Sequence, residues 1–273
     1  MREKDRLIAE ECRRMAEAAA LARGWLDDNA RRVGLGMPSL RRSLKKDAVE
    51  ARRLAEAAER PTSVGVFGPS QAGKSFLVGA LTSRRDREAR VVFGQGDAAI
   101  RLDFGKEVNP QGGNETTGLV TRLTMREMET PEGHPVALRM LTELDVARIL
   151  ANTFILDLSR VPAEDAPDPI DLALAAAEAD LDERPDDGLE PEDVFALREY
   201  IETSLEMHPL AQAAAASYWD AIETAAPKLR GPARARLFAP LWGGHAPFTE
   251  LFLTLKEALD RLGHPEWAFA PLE

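Results

Sequence analysis

The sequence contains almost no cysteine, no long apolar run and no excess of positive charge. Cys12 is the only cysteine among 273 residues, so an intrachain disulfide is impossible and a reducing compartment is expected. No apolar run approaches the ~20 residues that cross a bilayer. The N-terminus has no apolar signal core. These absences predict a cytoplasmic protein and give no support for a role at a membrane.

The charge is negative overall, but it is concentrated in one part of the chain. There are 35 basic and 46 acidic residues, a net charge of −11, which argues against unspecific binding to nucleic acid or to anionic membranes. Residues 157–207 contain 17 acidic and three basic side chains, a net of −14. Residues 1–60 contain 15 basic and 11 acidic side chains. The acidity therefore belongs to one segment, and the N-terminal part is slightly basic.

Residues 1–60 are predicted to form a helical hairpin. Residues 3–23 and Ser39–Glu59 have helical periodicity, and glycines and a proline between them break the helix. Ser39 is the expected N-cap of the second helix, and Pro61 ends it. We expect the alanine and leucine faces to pack on the domain that follows. Binding of a protein partner through the hairpin remains the alternative.

Residues 61–141 have the pattern of an α/β core, because short apolar strands alternate with Gly-rich loops and one helix. The helix is expected at Phe76–Thr82. The strand-like segments are Ser63–Phe67, Val91–Phe93, Ile100–Phe104, Leu119–Arg126 and Val136–Leu141.

Residues 142–273 are predicted to be acidic and mostly helical, with possible self-association or partner binding through these helices. The expected helices are Thr142–Leu158, Ile170–Leu181, Pro191–Leu205, Leu210–Ala225 and Phe248–Leu262. Phe154–Asp157 also has the composition of a Walker B strand, but it continues the helical period and is read as helix.

One motif indicates chemistry, the segment G-P-S-Q-A-G-K-S at residues 68–75, which fits G-x-x-x-x-G-K-[ST] between a predicted strand and a predicted helix. Backbone N–H groups of the loop would surround phosphate oxygens, and glycine occurs where a Cβ would obstruct the phosphate. The loop residues are Gly68, Pro69, Ser70, Gln71, Ala72 and Gly73, and all except Pro69 have a backbone N–H. Lys74 would reach the β- and γ-phosphates, and the Ser75 hydroxyl would bind Mg²⁺.

A second motif, T-T-G-L-V-T-R-L at residues 116–123, has the glycine and threonines that a nucleotide switch needs. It resembles switch I of dynamin-like large GTPases. That resemblance would make Thr121 a second Mg²⁺ ligand, with Arg122 beside it.

Three longer segments resemble the SrfC-like family of bacterial virulence factors. They are S-V-G-V-F-G-P-S-Q-A-G-K-S-F-L-V-G-A-L, N-P-Q-G-G-N-E-T-T-G-L-V-T-R-L-T and L-T-E-L-D-V-A-R-I-L-A-N, with L-W-G-G and F-A-P-L-E towards the end. The resemblance covers roughly residues 60–273. It implies a P-loop NTPase-like fold, a partial dynamin-like G domain with a helical hairpin before it and an all-α segment after it. It also implies GTP as the nucleotide and, because proteins of that family are longer, a chain that is either an N-terminal portion of such a protein or a short relative.

Two elements of a complete GTPase are missing from the sequence. The only D-x-x-G is Asp260–Gly263, where the glycine is better explained as a helix C-cap, and no asparagine is followed by lysine, so N-K-x-D is absent. Eukaryotic dynamins have a serine in the P-loop before the second glycine, where this chain has Ala72, so Gln71 becomes the candidate that orients water.

We therefore expect binding of GTP or ATP with Mg²⁺, and slow hydrolysis or none. An ATP-binding P-loop protein is one alternative. A non-catalytic helical interaction module with a vestigial P-loop is the other.

Overall fold

The fold was analysed in a computed structural model. It describes residues 3–61, 63–67, 73–83, 89–108, 120–124, 128–158, 173, 175, 189–204 and 216–272. The described residues are mostly helical, with two small sheets, and they divide into two compact units. Unit 1 contains Met1–Pro61 and Leu141–His264, and unit 2 contains Thr62–Met140 and Pro265–Glu273.

Unit 1 begins with the predicted hairpin. Helix α1 (Glu3–Asp28) is followed by a short helix α2 (Ala30–Val33), a 3₁₀ turn (Gly34–Gly36) and helix α3 (Met37–Glu59). The expected N-cap was wrong, because α3 already begins at Met37 with Pro38 in its first turn. The Ser39 hydroxyl lies inside that turn and donates to the Gly36 carbonyl at 3.0 Å.

The alanine faces of the hairpin pack on each other. Their packing on the domain that follows stays a prediction. Alanines are buried at repeating positions on both helices, where small side chains allow the two backbones to approach closely. The buried alanines are Ala9, Ala16, Ala19, Ala48, Ala51 and Ala55.

The rest of unit 1 is a helical bundle. Its described helices are α5 (Glu143–Thr153) with a π-helical turn (Phe154–Leu158), α6 (Pro191–Ser204), α7 (Ala216–Ala225), α8 (Gly231–Phe238) and α9 (Ala246–Leu262). Helix α4 (Lys74–Thr82) belongs to unit 2. A capping box starts α5, since the Thr142 hydroxyl and the Asp145 carboxylate each bind the other residue's backbone N–H.

Aromatic side chains fill the bundle core. Trp219, Trp242, Phe238 and Phe252 are fully buried, and the Phe238 and Phe252 rings meet edge to face with centroids 5.7 Å apart. The buried Tyr218 hydroxyl donates to the Leu237 carbonyl at 3.0 Å, and burial raises the pKa of this phenol well above its usual value.

Unit 2 contains helix α4 (Lys74–Thr82) and two antiparallel pairs of strands. Strand β1 (Arg90–Phe93) pairs with β2 (Ile100–Asp103), and β3 (Val136–Arg139) pairs with β4 (Trp267–Ala270). Helix α4 and strands β1, β2 and β3 confirm the sequence predictions. Strand β4 was not predicted.

Two predicted strands are not observed where the structure describes them. Residues 63–67 form no strand, and the Val64 and Phe67 side chains are 86% and 93% exposed. Residues 120–124 are likewise without strand or helix. A strand needs a hydrogen-bonded neighbour, and no strand of the described ranges pairs with either segment.

In the part of the chain that the structure describes, no helix combines the length and the apolar character that a membrane span requires.

Candidate functional site

The described half of the P-loop motif lies at the start of helix α4. Gly73 has a φ of +83°, in the left-handed region, and occupies the N-cap position of the helix. Its carbonyl accepts the Leu77 N–H at 2.9 Å, which closes the first helical turn. No heavy atom of the described residues lies within 4 Å of a Cβ built on Gly73, and the positive φ favours glycine here.

Lys74 and Ser75 are the first two residues of α4, at the positively polarised end of the helix. The first turn of α4 contains no acidic side chain. The partial positive charge of the helix N-terminus and the Lys74 ammonium therefore occur together, which favours a phosphate. The other residues expected to bind phosphate (Gly68, Pro69, Ser70, Gln71 and Ala72) lie outside the described residues.

Helix α4 is supported by the turn that follows β2. That turn (Phe104–Val108) is π-helical, and a Cβ built on Gly79 would lie 3.8 Å from Cδ1 of the buried Phe104 ring. The Asp103 carboxylate accepts the Gly105 and Lys106 N–H groups at 2.9 Å each, which fixes the start of the turn. These contacts hold one side of α4 within unit 2.

The switch-like segment is only partly described. Thr121 and Arg122 have exposed side chains in a stretch without helix or strand, and residues 116–119 lie outside the described ranges. Thr121 and Ser75 belong to the same unit. Their joint binding of Mg²⁺ stays a prediction.

No group of three or more His, Cys, Asp or Glu side chains that could hold a metal ion occurs among the described residues.

The segments that resembled further GTPase motifs are parts of helices. Phe154–Leu158 is a π-helical turn that continues α5, which confirms the helical interpretation over a Walker B strand. Gly263 has a φ of +74° and caps the C-terminus of α9 through its N–H to the Asp260 carbonyl, as predicted.

Sequence reasoning missed a buried group of charges in unit 1. The Arg234 guanidinium, fully buried, donates to Glu143 Oε2 at 2.7 Å and to the Ala226 carbonyl at 2.8 Å. Lys256 Nζ lies 3.8 Å from the same Glu143 oxygen, and Glu143 and Lys256 are 2% and 3% exposed. The three residues come from α5, α8 and α9, so this group ties three helices of the bundle together.

The group of charges continues to the end of α9. Lys256 donates to both oxygens of Asp260, at 2.9 and 3.0 Å, and the His264 ring lies 2.7 Å from Asp260 Oδ1. Burial opposes ionisation of Asp260, but the hydrogen bonds and charges of Lys256 and His264 outweigh it and lower the pKa of Asp260. No sequence motif marks these residues, because their contacts are set by helix packing.

Comparison with known proteins gives one finding. A family model described as "putative bacterial virulence factor" matches residues 22–273. The chain belongs to this family. No curated protein and no solved structure matches. The family assignment covers both units and does not itself specify a ligand or a reaction.

Proposed function

We propose that this member of the virulence-factor family binds the phosphates of a nucleoside triphosphate, together with Mg²⁺, at Gly68–Ser75. The observation that carries the proposal is the left-handed Gly73 directly before Lys74, at the N-terminus of a nine-residue helix. The glycine conformation, the helix N-terminus and the lysine are the three features that the G-K-[ST] half of a P-loop requires.

The roles of the individual residues follow from the chemistry of phosphate. Backbone N–H groups of the loop and the Lys74 ammonium would bind the phosphate oxygens, while the Ser75 and Thr121 hydroxyls would complete the Mg²⁺ shell. When bound, Mg²⁺ neutralises charge on the phosphates. Gln71 would orient the water that attacks the γ-phosphate, so catalysis would depend on position and charge neutralisation.

The finer assignment rests on resemblance. We propose that the chain is a SrfC-like, dynamin-like protein with a partial P-loop NTPase fold, that GTP is preferred, and that it acts in the cytoplasm. Hydrolysis is expected to be slow, since the sequence has no D-x-x-G outside a helix end and no N-K-x-D.

Equilibrium binding of a fluorescent GTP analogue to the full chain tests the proposal. With Mg²⁺ present we expect saturable binding that unlabelled GTP displaces more effectively than ATP does. Lys74→Ala should weaken binding at least tenfold. Lys106→Ala is the matched control, because it removes a lysine of unit 2 outside the motif and should leave binding unchanged.

Three results would separate the alternatives. More effective displacement by ATP would identify an ATP-binding protein. Absence of binding of either nucleotide would support the helical interaction module with a vestigial P-loop. A turnover close to that of an efficient kinase, lost in Lys74→Ala, would contradict the expectation of slow hydrolysis.

A further inference from the structure

The N-terminal hairpin and the bundle of unit 1 have separate apolar cores. The described core cluster of the bundle draws its fully buried members from residues 144–252. None of the buried hairpin residues belongs to that cluster. Between hairpin and bundle the structure describes a hydrogen bond from Arg53 to the Ala196 carbonyl at 3.4 Å, and the other polar contacts join charged side chains.

Those contacts are ion pairs between the basic hairpin and acidic helices of the bundle. We call this set the ionic latch, and it explains where the opposite charges of residues 1–60 and 157–207 meet. Its cations are Arg23, Arg42, Lys45 and Lys46, and its carboxylates are Glu192, Glu199, Glu202 and Glu223.

Two pairs of the ionic latch are largely shielded from water. Arg23 donates to Glu192 at 2.9 Å, with both side chains 21% exposed. Lys45 donates to Glu223 at 2.5 Å, with side chains 14% and 16% exposed. The Lys45 ammonium also lies 4.9 Å from the centre of the Phe195 ring, in a cation–π contact.

The other pairs are more exposed and converge on α6. Arg42 donates to Glu199 at 3.0 Å and to Glu202, and Lys46 Nζ lies 3.2 Å from Glu199. The side chains of Arg42 and Lys46 are 46% and 54% exposed. From the bundle side, Arg198 donates to Glu202 at 2.9 Å and holds this carboxylate towards the hairpin.

The contact between hairpin and bundle is not closed on all sides. A cleft of about 350 Å³ adjoins the shielded side chains, lined by Arg23 and Asp27 of α1, Arg41 and Lys45 of α3, and Glu192 of α6. The Arg42 and Lys46 side chains are themselves exposed. Exposed charge pairs are screened by salt, since the Debye length falls from ~10 Å at 0.1 M to ~3 Å at 1 M. The apolar bundle core is not weakened in this way.

We propose that the N-terminal hairpin is a detachable arm that the ionic latch holds on the bundle and that salt releases. The released hairpin keeps its small apolar core and the exposed ion pairs Arg13–Glu59 and Arg41–Asp27 between its two helices. A helical pair of that size is marginal without further packing. Its amides therefore exchange faster when it detaches, while the bundle stays folded.

Hydrogen–deuterium exchange of the full chain tests the proposal. Between 50 and 500 mM NaCl at pH 7.5, we expect exchange in α1 and α3 to accelerate at least fivefold and exchange in α7 and α9 to change less than twofold. Arg23→Glu should cause the same acceleration at 50 mM NaCl. Adding Glu192→Arg to that variant should restore slow exchange, because the pair is then re-formed with reversed charges.

Arg14→Glu is the matched control, since Arg14 forms an exposed ion pair with Glu11 within α1 and lies outside the ionic latch. It should leave exchange of the hairpin unchanged. The proposal is overturned if neither salt nor Arg23→Glu changes exchange of the hairpin. It is also overturned if amide exchange accelerates equally in hairpin and bundle. The same holds if the hairpin of the double variant Arg23→Glu/Glu192→Arg exchanges as fast as that of Arg23→Glu.

Discussion

Removing the charge of Glu143 should destabilise unit 1 more than its small change in shape would suggest. Glu143→Gln keeps the volume and an acceptor oxygen but removes the negative charge between Arg234 and Lys256, which are 0% and 3% exposed. The lost contacts are the 2.7 Å bond from Arg234 and the 3.8 Å approach of Lys256. Loss of one partner of a buried ion pair costs about 3–5 kcal/mol, because the remaining charge stays away from water.

Urea unfolding followed by tryptophan fluorescence measures this effect, since Trp219 and Trp242 are fully buried in the core of unit 1. With a urea dependence of about 2 kcal/mol per molar, the midpoint should fall by roughly 2 M. Glu11→Gln is the control, because its ion pair with Arg14 is exposed, and it should change the free energy of unfolding by less than about 0.5 kcal/mol. A midpoint of Glu143→Gln within about 0.5 M of the unaltered chain would refute the reasoning.

Two further predictions concern acid stability and glycine positions. Burial opposes ionisation of Glu192 and Glu199, but hydrogen bonds from Arg23 (to Glu192) and from Arg42 and Lys46 (to Glu199) lower both pKa values below 4.5. These two carboxylates therefore stabilise the fold fully above about pH 4.5, and that stabilisation is lost as the pH falls through their folded-state pKa. Urea midpoints measured from pH 7 to 3 should decline only in acid. A decline that begins near neutrality would contradict this. In thermal unfolding, Gly243→Ala should be more destabilising than Gly263→Ala by about 1–3 kcal/mol. Both glycines have a positive φ, but of the two only Gly243 would place a Cβ 2.5 Å from the Phe154 ring. Equal losses would show that the ring moves aside freely.

Local sequence patterns predicted the long helices and three of the strands. Periodic alanine and leucine residues define α1, α3 and α9, and the short apolar runs at β1, β2 and β3 are strands because a partner lies nearby in the fold. The predicted strand at residues 63–67 has the same apolar composition but no described partner strand. Composition alone does not supply the neighbour that a strand needs.

Strand β4 and helix α8 escaped prediction for different reasons. Strand β4 (Trp267–Ala270) lacks alternation of polar and apolar residues, and its partner β3 is far away along the chain. Helix α8 (Gly231–Phe238) is only eight residues long and begins with Gly-Pro, a pair that is typical of turns.

The candidate phosphate site and the charged groups of unit 1 also differ in how far they can be predicted from sequence. The G-x-x-x-x-G-K-[ST] motif is local, so its residues could be found from spacing alone, and α4 (Lys74–Thr82) begins within two residues of the predicted Phe76. The buried group around Glu143 and the ionic latch join residues that are distant in sequence and of types that are mostly exposed. Only helix packing brings them together, and a single sequence contains no signal for it.

Thermal unfolding in the presence of nucleotide measures the binding of GTP at Lys74. With Mg²⁺ and GTP at about 100 times the dissociation constant, binding should stabilise the folded chain by about 2.7 kcal/mol, a shift of several degrees in Tm. Lys74→Ala should lose most of this shift, while Lys106→Ala should keep it. An unchanged Tm with both GTP and ATP at millimolar concentration, or an equal shift in Lys74→Ala, would contradict nucleotide binding at Lys74.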